Sequence, residues 1–136
     1  MSILDRSPPP PSPPTAATKF IQTDITELDQ IERAVEETVA WTKETAAPLG
    51  GVINSAGVGT AAKIIDAQNN PHDLDLWDFT LAVNLTGSFN LTRLALKHLV
   101  NVAPEDGPDG ERGVIILVSS AAAVRVPSTP PYFYAN

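Results

Sequence analysis

Small and polar residues gather where four apolar runs stop. Asp5 follows "SIL", Asp24 follows "KFIQT", Asn54-Ser55-Ala56-Gly57 follows "GGVI", and Ser119-Ser120 follows "VIILV". β-Branched residues favour strands, whereas Asn and Gly favour sharp turns. A strand that ends in small residues and glycines leaves room for a ligand against its backbone. The chemistry implied is binding by strand ends and loops. Zero cysteines exclude disulfides, thiol catalysis and cysteine-ligated zinc. His72 and His98 are far apart and lack a ligand pattern, so no metal site is expected.

The 136 residues suffice for one domain with a core, and 43% hydrophobic with 18% charged residues is an ordinary globular balance. A net charge of −7 and no basic stripe argue against nucleic acid. No apolar run reaches the roughly 18 residues of a membrane span. "MSILDRS" is neither a signal peptide nor a transit segment.

The elements that must position these residues follow in order. A strand ends at Asp5. A proline-rich linker occupies 7–18, where locked φ angles and missing donors forbid helix. A second strand starts at Lys19 and leaves at Asp24. Leu28, Ile31, Val35 and Val39 then recur at helical spacing, with Thr26 and Asp29 resembling a capping box. Pro48, Gly50 and Gly51 mark the helix exit, and the strand Gly51–Asn54 follows. Asn69-Asn70-Pro71 predicts a turn. A long helix is predicted from Leu76 to about Val100, weakened or bent at Asn84 and Gly87. "VIILV" reads as a strand buried on both faces. Strands alternating with helices imply a parallel α/β sheet, whose ligands bind beyond the carboxyl ends.

These pieces resemble the short-chain dehydrogenase/reductase family. "INSAG" is similar to its Asn-Asn-Ala-Gly element, "AVNLTGSFNLTR" to its central helix, and "GVIILVSSAAA" to its fifth strand with the catalytic Ser. "QTDIT" resembles the third strand and "ILDRS" the end of the second. The loop "APEDGPDGERGVII" is closest to the type 2 3-hydroxyacyl-CoA dehydrogenase branch. The resemblance implies a Rossmann-like doubly wound parallel sheet and an oxidoreductase of secondary alcohols or ketones. Asp5 would bind the adenosine ribose and favour NAD over NADP, or else serve as a turn residue. Asp24 and Ile25 would flank the adenine, and Asn54, Ala56 and Gly57 would line the cofactor cleft. Ser120 would hydrogen-bond the substrate oxygen, and Asn84 would hold a relay water through its main chain. The substrate would be a small molecule or acyl-CoA, and family members are usually homo-oligomers. The compartment would be the cytoplasm, or the mitochondrion if a leader has been lost.

The sequence also departs from the family. The catalytic Tyr is expected about thirteen residues after Ser120, which falls on Phe133 between Tyr132 and Tyr134. Tyr134 is preferred, because Tyr132 would need a Lys where Asn136 stands. No Lys follows Lys97, so the partner that lowers the Tyr pKa is missing. The family's first strand and Gly-rich phosphate turn have no counterpart, nor do its C-terminal elements. The chain is therefore expected to be an incomplete domain spanning 1–136 and inactive alone. The alternative is a non-catalytic product that pairs with a partner chain. The absent first strand is central in the family. Either Lys19–Asp24 should slide against Gly51–Asn54, or a slot should remain.

Overall fold

The computed structural model describes residues 1–9, 18–60, 62–105, 107, 110–121 and the strand Tyr132–Phe133. Its elements are β1 (Ser2–Asp5), β2 (Lys19–Gln22), α1 (Leu28–Glu44), β3 (Gly51–Asn54), β4 (Ala62–Lys63) and α2 (Leu74–Leu81). A π-helical turn (Ala82–Gly87), α3 (Ser88–Leu99), β5 (Val114–Leu117) and β6 (Tyr132–Phe133) complete the order. Positions 10–17 of the proline-rich linker lie outside the described residues, as does Tyr134. No described helix is long and apolar enough to cross a membrane. No group of three metal-ligating side chains occurs among the described residues.

Among the described residues three two-stranded ladders form: β1 parallel to β2, β3 parallel to β5, and β4 antiparallel to β6. β2 has not slid across to β3. It keeps β1 as its neighbour, with Ser2 opposite Lys19 and Asp5 opposite Gln22. A cavity of about 960 Å³ lies between Ser2–Asp5 and Gly51–Asn54, the slot that the sequence left as the second outcome. The fold is thus an incomplete Rossmann-like sheet, divided at its middle.

The core runs between β2 and the helices. Ile31, Ala34 and Val35 of α1, Val83 of the π turn, and Ala95 and Leu99 of α3 are all buried together with Ile21. Ile31 and Val35 lie one turn apart, as the helical spacing requires. Glu36 ties the outer edge of this contact, accepting from Lys97 Nζ at 3.1 Å and lying 3.4 Å from His98 Nε2. The Lys97 hydrogen bond, chiefly, holds the Glu36 carboxyl below its ordinary pKa.

Three local expectations need correction. The capping box does not form: Glu27 precedes α1 with no side-chain cap, and Asp24, not Asp29, takes the hydroxyl of Thr26. Thr26 is drawn into that turn instead. The second helix starts at Leu74, two residues earlier than the apolar pattern suggests, because Asp73 caps it by accepting from Asp75 N at 2.8 Å. β5 is not buried on both faces. Val114 and Leu117 are 52% and 60% exposed, and among the described residues β5 has a single ladder neighbour. The Asn69 turn does form, with Asn69 at φ +62°. Asp66 organises it by accepting from the backbone of Gln68 and Asn70.

Ile31→Ala should lower the unfolding free energy by about 2–4 kcal/mol, a large-to-small change in a filled core. Ile53→Ala, at a 69% exposed position, should change it by less than about 0.5 kcal/mol. Urea unfolding followed by tryptophan fluorescence checks both. Equal costs would show that the α1–α3 contact is not the core.

Candidate functional site

The carboxyl ends of β1, β2 and β3 open on one mouth of the cavity. Asp5 and Arg6 leave β1, Thr23, Asp24 and Ile25 leave β2, and Asn54–Val58 leave β3, and all of them line it. Six of the sequence-predicted residues are therefore neighbours of one space: Asp5, Asp24, Ile25, Asn54, Ala56 and Gly57.

Each strand end is held by its own side chain. Asp5 Oδ1 accepts from Ser7 N at 2.9 Å, the turn role that its sequence allowed, and the residue remains exposed. Asn54 is buried and accepts from Ala56 N at 3.0 Å, folding the small-residue turn back on itself. Asp24 Oδ1 accepts from Thr26 N at 2.9 Å and from the Thr26 hydroxyl at 2.7 Å, while Oδ2 pairs with Arg6 Nε at 3.1 Å. The Thr26 backbone bond, then its hydroxyl, then the Arg6 charge hold the Asp24 carboxyl below the ordinary aspartate pKa.

Asn84 sits in the π turn and does more than its sequence position suggested. Its Oδ1 accepts from Val58 N at 2.8 Å, and its Nδ2 donates to Val58 O at 3.0 Å. The side chain thus clasps the backbone just past Gly57. A π turn inserts a residue into the helix and re-aims its neighbours, a feature common at functional sites. Gly87 closes the same turn for a steric reason. A Cβ there would stand 2.6 Å from the Ile25 carbonyl oxygen and 2.8 Å from Ile25 Cγ1. Gly57 is different: its Cβ would meet only Asn84 Oδ1, at 3.5 Å. The glycine leaves space there for a ligand and is not forced by its neighbours.

Ser120 lies three residues past β5 and is exposed. The β3–β5 register sets Asn54 opposite Leu117, and Val118 N donates to Asn54 O at 2.9 Å, so Ser120 leaves the sheet at the same end as Asn54. Tyr132 belongs to β6, beside Lys63 of β4. Sequence reasoning missed Gln30, whose Oε1 accepts from Asp24 N at 2.9 Å, and buried Thr23, whose hydroxyl donates to Ile21 O. No local spacing signals the Gln30 contact, because it depends on how α1 returns toward β2.

The arrangement suits the adenosine end of a dinucleotide: an exposed carboxylate at Asp5, a polar and apolar pair at Asp24–Ile25, and an open turn at Asn54–Gly57.

Two outcomes are expected. Asn84→Ala should cost about 1–3 kcal/mol, by leaving the Val58 amide without its acceptor, and should speed hydrogen exchange at that amide. Unchanged exchange would show that the clasp does not hold the turn. Because the Asp24 pKa is lowered by folding, its stabilisation is present above the ordinary aspartate value of about 3.9 and is lost as pH falls through the lower folded value. Asp24→Asn should therefore flatten that acid limb of stability against pH, and an identical acid limb in the variant would refute the assignment.

A family model described as short chain dehydrogenase matches residues 13–135. The chain is 32% identical to mouse (Mus musculus) 3-hydroxyacyl-CoA dehydrogenase type-2, over 68% of the chain and 35% of that protein. It is also 32% identical to the human (Homo sapiens) 3-hydroxyacyl-CoA dehydrogenase type-2, over 76% of the chain and 38% of the relative. Among solved structures, 3-hydroxyacyl-CoA dehydrogenase type-2 from Mycobacterium avium superposes with a TM-score of 0.66 at 25% identity, covering 79% of this chain and 39% of that one. The chain thus spans well under half the length of these relatives. With the family model matched over most of its length, and with the strand ends meeting at one cavity mouth, the chain belongs to the short-chain dehydrogenase/reductase family of oxidoreductases.

Proposed function

We propose that this chain carries the adenosine-binding part of an NAD-dependent dehydrogenase acting on a secondary alcohol or ketone, with a 3-hydroxyacyl-CoA as the substrate class. The observation that carries this reading is the convergence of Asp5, Asp24, Ile25 and Asn54–Gly57 on one cavity mouth. The similarity to 3-hydroxyacyl-CoA dehydrogenase type-2 supports the substrate class. Arg6 supports NAD over NADP: it is bound to Asp24, and so is engaged away from a 2′-phosphate, while Asp5 repels one. In this reading Ser120 holds the substrate oxygen and Tyr134 exchanges its proton, with Asn84 supporting the relay.

The chain by itself is proposed to be inactive. Its Tyr has no Lys four residues on within this sequence, and acid–base assistance is typically worth about 10²–10⁴-fold. The exposed apolar residues of β3 and β5, Ile53, Ile116 and Leu117 among them, favour a second reading in which the chain pairs with a partner and catalyses nothing.

Incubation of the purified chain with NADH and acetoacetyl-CoA should give no turnover. Turnover within about tenfold of an intact type-2 relative would overturn the inactivity. Joined to the missing segments of such a relative, the chain should prefer NAD, and Asp5→Ala should relax that preference. Better use of NADPH by the unsubstituted hybrid would show that Asp5 is misassigned.

A further inference from the structure

We propose that Ser7 is a phosphorylation site, and that a phosphoryl group on its hydroxyl draws Arg6 away from Asp24 at the carboxyl ends of β1 and β2.

Three features mark Ser7 as the acceptor. It is exposed, as are Arg6 before it and Pro8 and Pro9 after it. Its backbone N–H donates to Asp5 Oδ1 at 2.9 Å, so the turn is held through the main chain and leaves the hydroxyl to other uses. Pro8 follows directly. Proline has no N–H and a fixed φ, and it biases the residue before it toward an extended backbone. A transferase can therefore read the ring at the position after its acceptor. No ladder has to open for this, because Ser7 lies two residues beyond the end of β1. Ser12 and Thr129 also precede prolines, and both lie outside the described residues.

The donor is a nucleoside triphosphate held by a proline-directed kinase. Ser7 Oγ forms the new O–P bond as the bond from the γ-phosphorus to the β,γ-bridging oxygen breaks. The nucleoside diphosphate leaves, and the hydroxyl proton passes to a base of the kinase.

The surroundings set the consequence. Asp5 and Asp24 bring two carboxylates to the cavity mouth, and Arg6 brings one guanidinium. Arg6 Nε lies 3.1 Å from Asp24 Oδ2, with the Arg6 side chain 70% exposed. Exposed ion pairs of this kind are weak. A phosphoryl group adds about 1.5–2 negative charges beside Asp5 and presents three acceptor oxygens. It offers a guanidinium two parallel bonds, a stronger hold than a single contact through Nε. Asp24 does not depend on Arg6, since it keeps the Thr26 amide at 2.9 Å and the Thr26 hydroxyl at 2.7 Å. Those two bonds lower its carboxyl pKa more than Arg6 does. The main chain of Arg6 stays in place, because Gln22 Nε2 donates to its carbonyl at 3.2 Å. The group that moves is the Arg6 side chain. Where the mouth holds a dinucleotide, as proposed above, the added charge also repels it, and this one consequence rests on that reading.

The full chain is incubated with a proline-directed serine/threonine kinase, ATP and magnesium, and the phosphate is located by mass spectrometry. Ser7 should be occupied, and Ser7→Ala should lose that phosphopeptide. Phosphate at Ser12 or Thr129 with none at Ser7, or no phosphate at all, would overturn the site. In a Ser12→Ala/Thr129→Ala background, phosphorus NMR then follows the second ionisation of the phosphoserine, ordinarily near about 6. Pairing with Arg6 should hold it at least about 0.5 pH below its position in the same chain carrying Arg6→Gln. By carbon NMR the Asp24 carboxyl should titrate at higher pH after phosphorylation, and most of that rise should vanish with Arg6→Gln. Equal phosphate titrations with and without Arg6 would show that Arg6 does not turn to the phosphate. An unmoved Asp24 would show that Arg6 stays with it. Either result overturns the capture. The NMR samples contain no dinucleotide, so the oxidoreductase reading stands or falls separately.

Discussion

The contact between α1 and α3 holds this molecule together. Among the described residues no ladder hydrogen bond joins β1–β2 to β3–β5. In a complete sheet the backbone supplies that connection. Here side-chain packing supplies it, through Ile31, Ala34 and Val35 on one helix and Ala95 and Leu99 on the other. The small residues Ala34 and Ala95 are among the most deeply buried, which lets the helices approach closely. Hydrophobic burial is non-directional, so it tolerates a gap in the sheet that hydrogen bonding alone would not.

The π turn is the second joint. It carries Val83 into the core, Asn84 to the backbone of Val58, and Gly87 against Ile25. Two separate strand ends, those of β2 and β3, are referred to one short segment of helix. It holds the ends of β2 and β3 near one another although the sheet is split. The polar contacts there are local turn bonds made by Asp5, Asp24 and Asn54, together with the Asn84 clasp. None depends on the ladder that is missing between β1 and β3. The site and the slot are therefore built from the same strands but held by different forces.

The exposed apolar surface follows from the same division. Among the described residues Ile53 and Leu117 belong to strands with one neighbour each, and they are 69% and 60% exposed. The sequence "VIILV" has the composition of a buried central strand. Composition reports the environment a segment can accept, whereas neighbours decide the environment it receives.

The order of elements was legible in the sequence. Short apolar runs place β1, β2, β3 and β5, and helical spacing places α1 and the long helix, to within a few residues, because a run of β-branched residues and a period of 3.6 both follow from backbone geometry. The small-residue strand ends were equally legible, since a turn's needs are local: Asn54 folds onto Ala56 two residues away. Contacts between segments distant in the chain were decided only in three dimensions. Gly87 meeting Ile25 and Asn84 clasping Val58 across 26 positions leave no periodic trace. The sequence allowed β2 either to slide to β3 or to stay with β1. Tertiary structure chose the second: the β1–β2 ladder and the α1–α3 core both form with the slot beside β1 left open.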